Sequence, residues 1–284
     1  MIEAGARQGP SVEARVIAYD DGTRETRFDR VATEEPLEIR LRAAKETRTV
    51  AITMRTPGHD FELAAGFLHN EGVIADRAAL RGISYCLAGE VDEEQRYNIV
   101  NVDLNASRLP PLDGLERHFT TTSACGVCGK ANLEALRLRG LVPLTATWSV
   151  AAETLLALPE RLRSAQRLFE TTGGLHAAGL FDRDGRLTLV REDVGRHNAV
   201  DKLTGWAFLN GRLPLDESIL MVSGRTSFEI VQKALAAGIP LVCAVSAPSS
   251  LAVDLAREYG IALVGFLREK RFNVYAHEER IGFD

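Results

Sequence analysis

The chain has 284 residues, 45% hydrophobic and 26% charged, with 34 Lys and Arg against 39 Asp and Glu for a net charge of −5. That length buries a full core in one or two domains without metals or disulfides, and the composition excludes disordered and fibrous classes. Basic and acidic residues are interspersed, so no basic stripe invites DNA or RNA and no nucleic-acid partner is expected, although a basic pocket for one nucleotide remains compatible with the pattern.

Residues 1–34 are polar and read as a loosely ordered lead-in with one short strand over Arg15–Tyr19. The opening MIEAGARQGP lacks the apolar core of a secretory signal. Leu37–Arg42 and Arg48–Met54 read as strands joined at Ala43–Glu46. Thr56-Pro57-Gly58 breaks the pattern. Phe61, Ala64, Ala65 and Leu68 then recur at helical spacing over His59–Asn70, with Gly72 placed to close the helix. Gly82–Leu87 and Tyr97–Leu104 are two more strands, so residues 35–119 form a small strand-rich α+β unit. Pro110, Pro111 and Gly114 put a boundary between Leu104 and Thr120.

Past that boundary the alternation changes. Ala151–Phe169 is helical, in two pieces with a break near Pro159. Leu175–Phe181 and Arg186–Arg191 are strands joined by Asp182-Arg183-Asp184-Gly185, a hairpin signal. Helices follow over Arg196–Leu209, Thr226–Ala237 and Ser249–Tyr259. In the first, Val200, Leu203, Ala207 and Phe208 share a face; the second opens on Thr226-Ser227-Phe228-Glu229, a capping-box spelling. Strands Ser218–Val222, Leu241–Ser246 and Ile261–Leu267 alternate with these helices, and Phe272–Tyr275 is a last short strand. The apolar runs Ile239–Ala247 and Ile261–Leu267 are strand-sized, far short of the ~20 residues of a membrane span. The order is helix, hairpin, then three helix–strand units. It predicts an α/β domain over 131–284, with a mixed sheet covered on both faces, and makes the whole chain α+β.

The stretch Thr121–Lys130 carries Cys125-Gly126-Val127-Cys128, with a helix candidate at Ala131–Arg139 behind it. A helix start and Lys130 lower a thiol's pKa and favour thiolate. Four readings stand: idle cysteines, half of a zinc site, a thioredoxin-type redox pair, or a sulfur relay on a mobile loop spanning 120–130. A structural zinc needs four ligands, and Cys86 and Cys243 sit in strand patterns, so no metal site is expected. Four cysteines in a chain of this length fit a reducing compartment, hence a cytoplasmic protein.

Several strand–glycine–helix junctions fall where α/β sheets bind ligands. Arg191–Asn198 packs charge around Gly195 and includes Arg196 and His197. Ser223-Gly224-Arg225-Thr226-Ser227 joins a strand to a helix start, and its hydroxyls and arginine suit an anion. Ser246–Ser250 is the equivalent junction one unit later. Gly173-Gly174 and His176 enter the hairpin. Each junction also reads as an ordinary cap or solvated loop, and His176 and His197 read equally as bases or as core histidines. The element order is that of cytidine deaminases, yet His197 is followed by Asn198-Ala199 and the next helix start has no cysteine, so zinc deaminase chemistry is absent.

Taken together, ITMRTPGHDFELAAGFLHNEG (52–72), SACGVCGK, TTGGLHAA (171–178), REDVGRHNAVDKL (191–203), SGRTSFEIVQKA (223–234) and GFLREKRFNVYAH (265–277) resemble the FdhD family, formate dehydrogenase accessory sulfurtransferases, over roughly residues 36–280. The resemblance implies a cytidine-deaminase-like three-layer core. It implies a carrier that takes sulfur from a cysteine desulfurase as a persulfide on Cys125, with Cys128 as partner. The sulfur would pass to the molybdenum (or tungsten) bis(molybdopterin guanine dinucleotide) cofactor destined for formate dehydrogenase. It puts cofactor contacts near Phe266, Leu267, Arg268, Glu269, Lys270 and Arg271, of which Arg268, Lys270 and Arg271 also suit phosphates by charge. It further implies a homodimer. The alternative is a non-catalytic cofactor chaperone whose CxxC is redox-active or holds a metal.

Overall fold

The computed structural model describes residues 9–44, 46–87, 96–112, 136 and 140–283. The expected lead-in is instead a hairpin of β1 (Ser11–Asp20) and β2 (Thr23–Ala32), paired antiparallel along its whole length. Asp21 and Gly22 close it with φ of 42° and 82°, the conformation that a two-residue turn needs at both positions. The polar β2 offers no hydrophobic alternation and hides the strand from pattern reading.

Next come β3 (Glu35–Ala43), β4 (Glu46–Arg55), helix α1 (Asp60–Asn70), β5 (Leu80–Tyr85) and β6 (Ile99–Leu104). The strands form a sheet in the order β4-β3-β6-β5, with β3 and β6 parallel. Leu37, Ile39, Leu41, Val100 and Val102 line its inner face, where Leu63, Ala64 and Leu68 of α1 bury them.

The second unit opens with β7 (Val150–Ala151), α2 (Ala152–Ala165) and α3 (Arg167–Thr172). The helical break falls at Gln166, not at Pro159, which α2 runs through. A mid-helix proline costs about 3 kcal/mol. Leu155, Leu158 and Leu162 are fully buried against the sheet, and at about 2 kcal/mol each they outweigh it. Then follow β8 (His176–Phe181), β9 (Leu187–Asp193), α4 (Arg196–Leu209), β10 (Ile219–Val222), α5 (Phe228–Ala236), β11 (Leu241–Ala244), α6 (Ser250–Glu258), β12 (Ala262–Arg268), β13 (Arg271–Ala276) and β14 (Ile281–Gly282). The main sheet runs β13-β12-β11-β10-β8-β9, with β10, β11 and β12 parallel. Helices α4, α5 and α6 cover one face and α2 the other, the three-layer deaminase-like core that the element order predicts. Strand β14 pairs with β7 in a small sheet of its own.

The two units are joined through α1 and α4. A Cβ on Gly66 would lie 1.8 Å from the Asp201 carbonyl oxygen, and one on Gly205 would lie 1.8 Å from that of Glu62. The helices therefore cross backbone to backbone. Only two glycines permit such an approach, and α4 is consequently buried almost all round. Charged ties surround the crossing. Arg191 on β9 grips Glu62 on α1 with bonds of 2.6 and 2.8 Å. Lys233 on α5 reaches Asp201 at 2.8 Å, and Asn70 donates to the same carboxylate at 2.7 Å.

Gly66→Ala or Gly205→Ala is expected to destabilise the protein by at least about 3 kcal/mol, because backbone rather than a flexible side chain must yield. Gly82→Ala, where a Cβ meets open space, should stay within about 1 kcal/mol of wild type. Urea midpoints of the three variants check this.

Candidate functional site

Strands β10, β11 and β12 end at one edge of the main sheet, where β8 begins and β9 ends. The edge gathers the glycine junctions of the sequence. Its foundation is Asp193, the last residue of β9 and completely buried. One carboxylate oxygen accepts from the Gly195 N–H at 2.8 Å and from Asn198 Nδ2 at 3.0 Å, which shapes the turn into α4. The other accepts from the Thr56 N–H at 3.2 Å and pairs with Lys202 Nζ at 2.7 Å. Thr56 belongs to the first unit, so both units set the direction in which α4 starts.

Arg196 and His197 are the first two residues of α4. Gly224 lies against both: a Cβ there would sit 3.4 Å from His176 Nδ1 and 3.7 Å from Arg196 Cδ, ordinary contact distances. Arg196 Nε is buried with no hydrogen-bond partner among the described residues. Ser223 is used structurally: its hydroxyl accepts from the Ala177 N–H at 2.9 Å and holds β8 to the end of β10. Gly173 closes α3 in the left-handed region at φ 66°, with Gly174 behind it, and Arg225 is exposed.

Both imidazoles are held neutral. Burial pushes His176 down, with Arg196 adding to it. Burial first, then Lys233, Arg196 and His176, push His197 down to about 3. Its Nδ1 lies 3.1 Å from a Glu229 carboxylate oxygen and its Nε2 lies 3.1 Å from Ser227 Oγ. A carboxylate only accepts, so Nδ1 carries the proton, Nε2 accepts, and Ser227 donates. The capping box spelled by Thr226–Glu229 is therefore not formed: Ser227 is the N-cap of α5 but makes no side-chain cap, because its hydroxyl is turned to His197. Glu229 is a site residue whose place in the sequence suggests only helix capping, while Ser227 belongs to the anion-site junction as well.

The Phe266–Arg271 group joins the same edge through the loop after β11. Thr226 N–H donates to the Ala247 carbonyl at 3.3 Å and Ser249 N–H donates to the Thr226 carbonyl at 2.9 Å. Phe266 N–H donates to the Ser246 carbonyl at 3.2 Å. A bulge between Gly265 and Arg268 puts Phe266 at φ 51° with its ring partly exposed, while the Leu267 side chain is fully buried in the core and takes no part in the edge. Arg268, Glu269, Lys270 and Arg271 are exposed at the β12–β13 turn.

Cys125, Cys128, the 120–130 segment and all of the Ala131–Arg139 helix candidate except Leu136 lie outside the described residues. Cys243 sits inside β11, and burial pushes its thiol far up, so it is no thiolate. Among the described residues, no three or more His, Cys, Asp or Glu are gathered as metal ligands would be, and no helix is long and apolar enough to cross a membrane.

A model of the FdhD/NarQ family matches residues 32–282. A "Sulfur carrier protein FdhD" of Streptomyces coelicolor is 55% identical over 270 residues, covering 94% of each chain. One of Mycobacterium tuberculosis is 53% identical over 90% of this chain and 93% of its own. One of Sulfurisphaera tokodaii is 44% identical over 94% and 97%. The crystal structure of a protein described as a candidate formate dehydrogenase accessory protein, from Desulfotalea psychrophila, superposes with a TM-score of 0.72 at 28% identity, covering 96% of this chain and 99% of that one.

The neutral His197 has a measurable consequence. Its folded-state pKa lies below the unfolded value near 6.5, so between those values the unfolded chain binds the extra proton and stability falls as pH falls. The wild type should lose up to about 1.4 kcal/mol per pH unit more than His197→Gln between pH 6.5 and about 3. Urea midpoints across that window read the difference, and parallel slopes would show the imidazole to be unperturbed.

Proposed function

The chain belongs to the FdhD/NarQ family, and on that premise we propose that it is a sulfur carrier acting as a sulfurtransferase for formate dehydrogenase. The observation that carries this reading is the identity of 55% to a named sulfur carrier over 94% of both chains, together with the thiol pair Cys125 and Cys128 in this sequence. In the proposed reaction, the Cys125 thiolate attacks the outer sulfur of a persulfide on a cysteine desulfurase. A new S–S bond forms on Cys125, and the desulfurase thiolate leaves. Cys128 is its partner. The recipient is the bis(molybdopterin guanine dinucleotide) cofactor of molybdenum or tungsten, bound as a client rather than held as a resident group. The protein works as a cytoplasmic homodimer in this reading.

The sheet edge fits such a client. Arg196 brings a buried Nε with no partner among the described residues, and Arg268, Lys270 and Arg271 stand exposed at the neighbouring turn. Guanidinium groups bind phosphate oxygens bidentately in sites of this kind. Phe266 presents its ring beside them, where a purine could stack. Because His176 and His197 are neutral, the positive field comes from the arginines and Lys270 rather than from imidazolium.

Two experiments test the two halves of this proposal. Incubation with desulfurase and cysteine should add about 32 Da per sulfur to the intact protein, a persulfide. Cys125→Ala should abolish both the adduct and formate dehydrogenase maturation, while Cys243→Ala keeps them. Full maturation by Cys125→Ala would leave only the chaperone alternative. GDP should bind in preference to ADP in calorimetry, and Arg196→Ala should weaken it by about tenfold, roughly 1.4 kcal/mol. Equal binding of ADP would overturn the guanine-dinucleotide assignment.

A further inference from the structure

The β1–β2 ribbon is a two-stranded sheet of its own, and residues 11–31 of it lie outside the segment that matches the family. Its register places Ile17 and Tyr19 of β1 and Phe28 of β2 on one face. They are 58%, 75% and 72% exposed. The other face carries Ala14, Val16 and Ala18, which are half-buried. The ribbon is thus apolar on both sides, and the larger side chains are on the side turned to water. Large exposed apolar groups clustered on one surface mark an interaction site.

Charge divides between the faces in the same way. The exposed face bears Arg15, Arg24 and Arg30 against Glu13, a net +2, on a chain whose total is −5. Two copies meeting through this face would set like charge against like. A partner that is apolar at the centre and acidic at the rim complements it. Tyrosine, phenylalanine and arginine are also side chains that anchor protein interfaces at low entropic cost.

The root of the ribbon fixes its direction. Thr33 N–H donates to the Pro10 carbonyl at 3.0 Å, closing the two strands at their base. The Ala32 methyl lies 3.9 Å from where a Cβ on Gly174 would be. The ribbon therefore rises from the sheet edge that holds Gly173, Gly174 and His176.

We propose that the Ile17–Tyr19–Phe28 face docks the formate dehydrogenase that this protein serves, on an apolar patch of that enzyme with an acidic rim. This rests on the reading that a cofactor is handed over at the sheet edge. The recipient must come to that edge, and an arm rooted there meets it first.

The test uses the full chain, purified cofactor-free formate dehydrogenase and purified desulfurase. Tyr19→Ala/Phe28→Ala and Arg15→Glu/Arg24→Glu change only exposed side chains and should leave the urea midpoint unchanged. Each should weaken calorimetric affinity for formate dehydrogenase at least tenfold. Added salt should weaken the wild-type complex, and the charge-reversed variant should lose that salt dependence. Persulfide loading of Cys125 by the desulfurase should be unaltered in both. Wild-type affinity in both variants overturns the proposal. So does loss of persulfide loading, which assigns the face to the desulfurase, or conversion of a dimer to a monomer with client affinity intact, which assigns it to a second copy. If the wild type itself does not bind formate dehydrogenase, the functional reading falls and the docking face falls with it.

Discussion

Everything at the sheet edge depends on how closely two helices approach. Gly66 and Gly205 let α1 and α4 meet through their backbones, with no side chain between them. That distance brings the Thr56 segment of the first unit onto Asp193 of the second, and Asp193 in turn shapes the start of α4. Arg196 and His197 then project from that start. A methyl group at the crossing would move the two units apart and unmake the turn some distance away. The geometry of the sheet edge is therefore a product of the interface between the units, although nearly all its residues belong to one of them.

Buried charge locks this arrangement. Lys202 with Asp193 and Lys233 with Asp201 are pairs in which every partner is nearly or fully buried. Such pairs add little net stability over apolar residues, but removing one partner strands a charge in the core and is costly. Their effect here is to define register. Asp201 also accepts from Asn70, so one carboxylate fixes α5, α4 and α1 together. Glu62 plays the corresponding part on α1. Burial alone would raise its pKa, but hydrogen bonds from Arg191 and His59 prevail and keep it below the usual range, ionised and paired.

The sequence displayed the second unit well and the contacts between units badly, for a physical reason. Hairpins such as Asp182–Gly185 and the glycine junctions before α4 and α5 are local, and local chemistry shows in a few adjacent residues. The pairing of Gly66 with Gly205 spans the chain, and nothing near either glycine indicates a partner. Asp201 and Lys202 look like a solvated helix face until the second layer is known to cover them. Thr226 and Glu229 spell a capping box, and only the position of His197 draws Glu229 and the N-cap Ser227 away from capping. Of the β1–β2 ribbon the sequence shows only Arg15–Tyr19, inside β1; β2 is exposed along nearly all its length, and no alternation is required of it. The residues proposed to carry the sulfur were legible only as a motif, and they lie outside the described residues.

The neutrality of His197 also bears on how protons move when a ligand arrives. Near neutral pH His197, pushed down to about 3, is unprotonated and arginine does not titrate there, so neither group has a proton to exchange. A phosphate with a second ionisation near pH 6 does. Proton uptake or release on binding a phosphorylated ligand at this edge would then belong to the ligand. The heat of binding would vary between buffers according to the ligand's ionisation, with no contribution from His197 or the arginines.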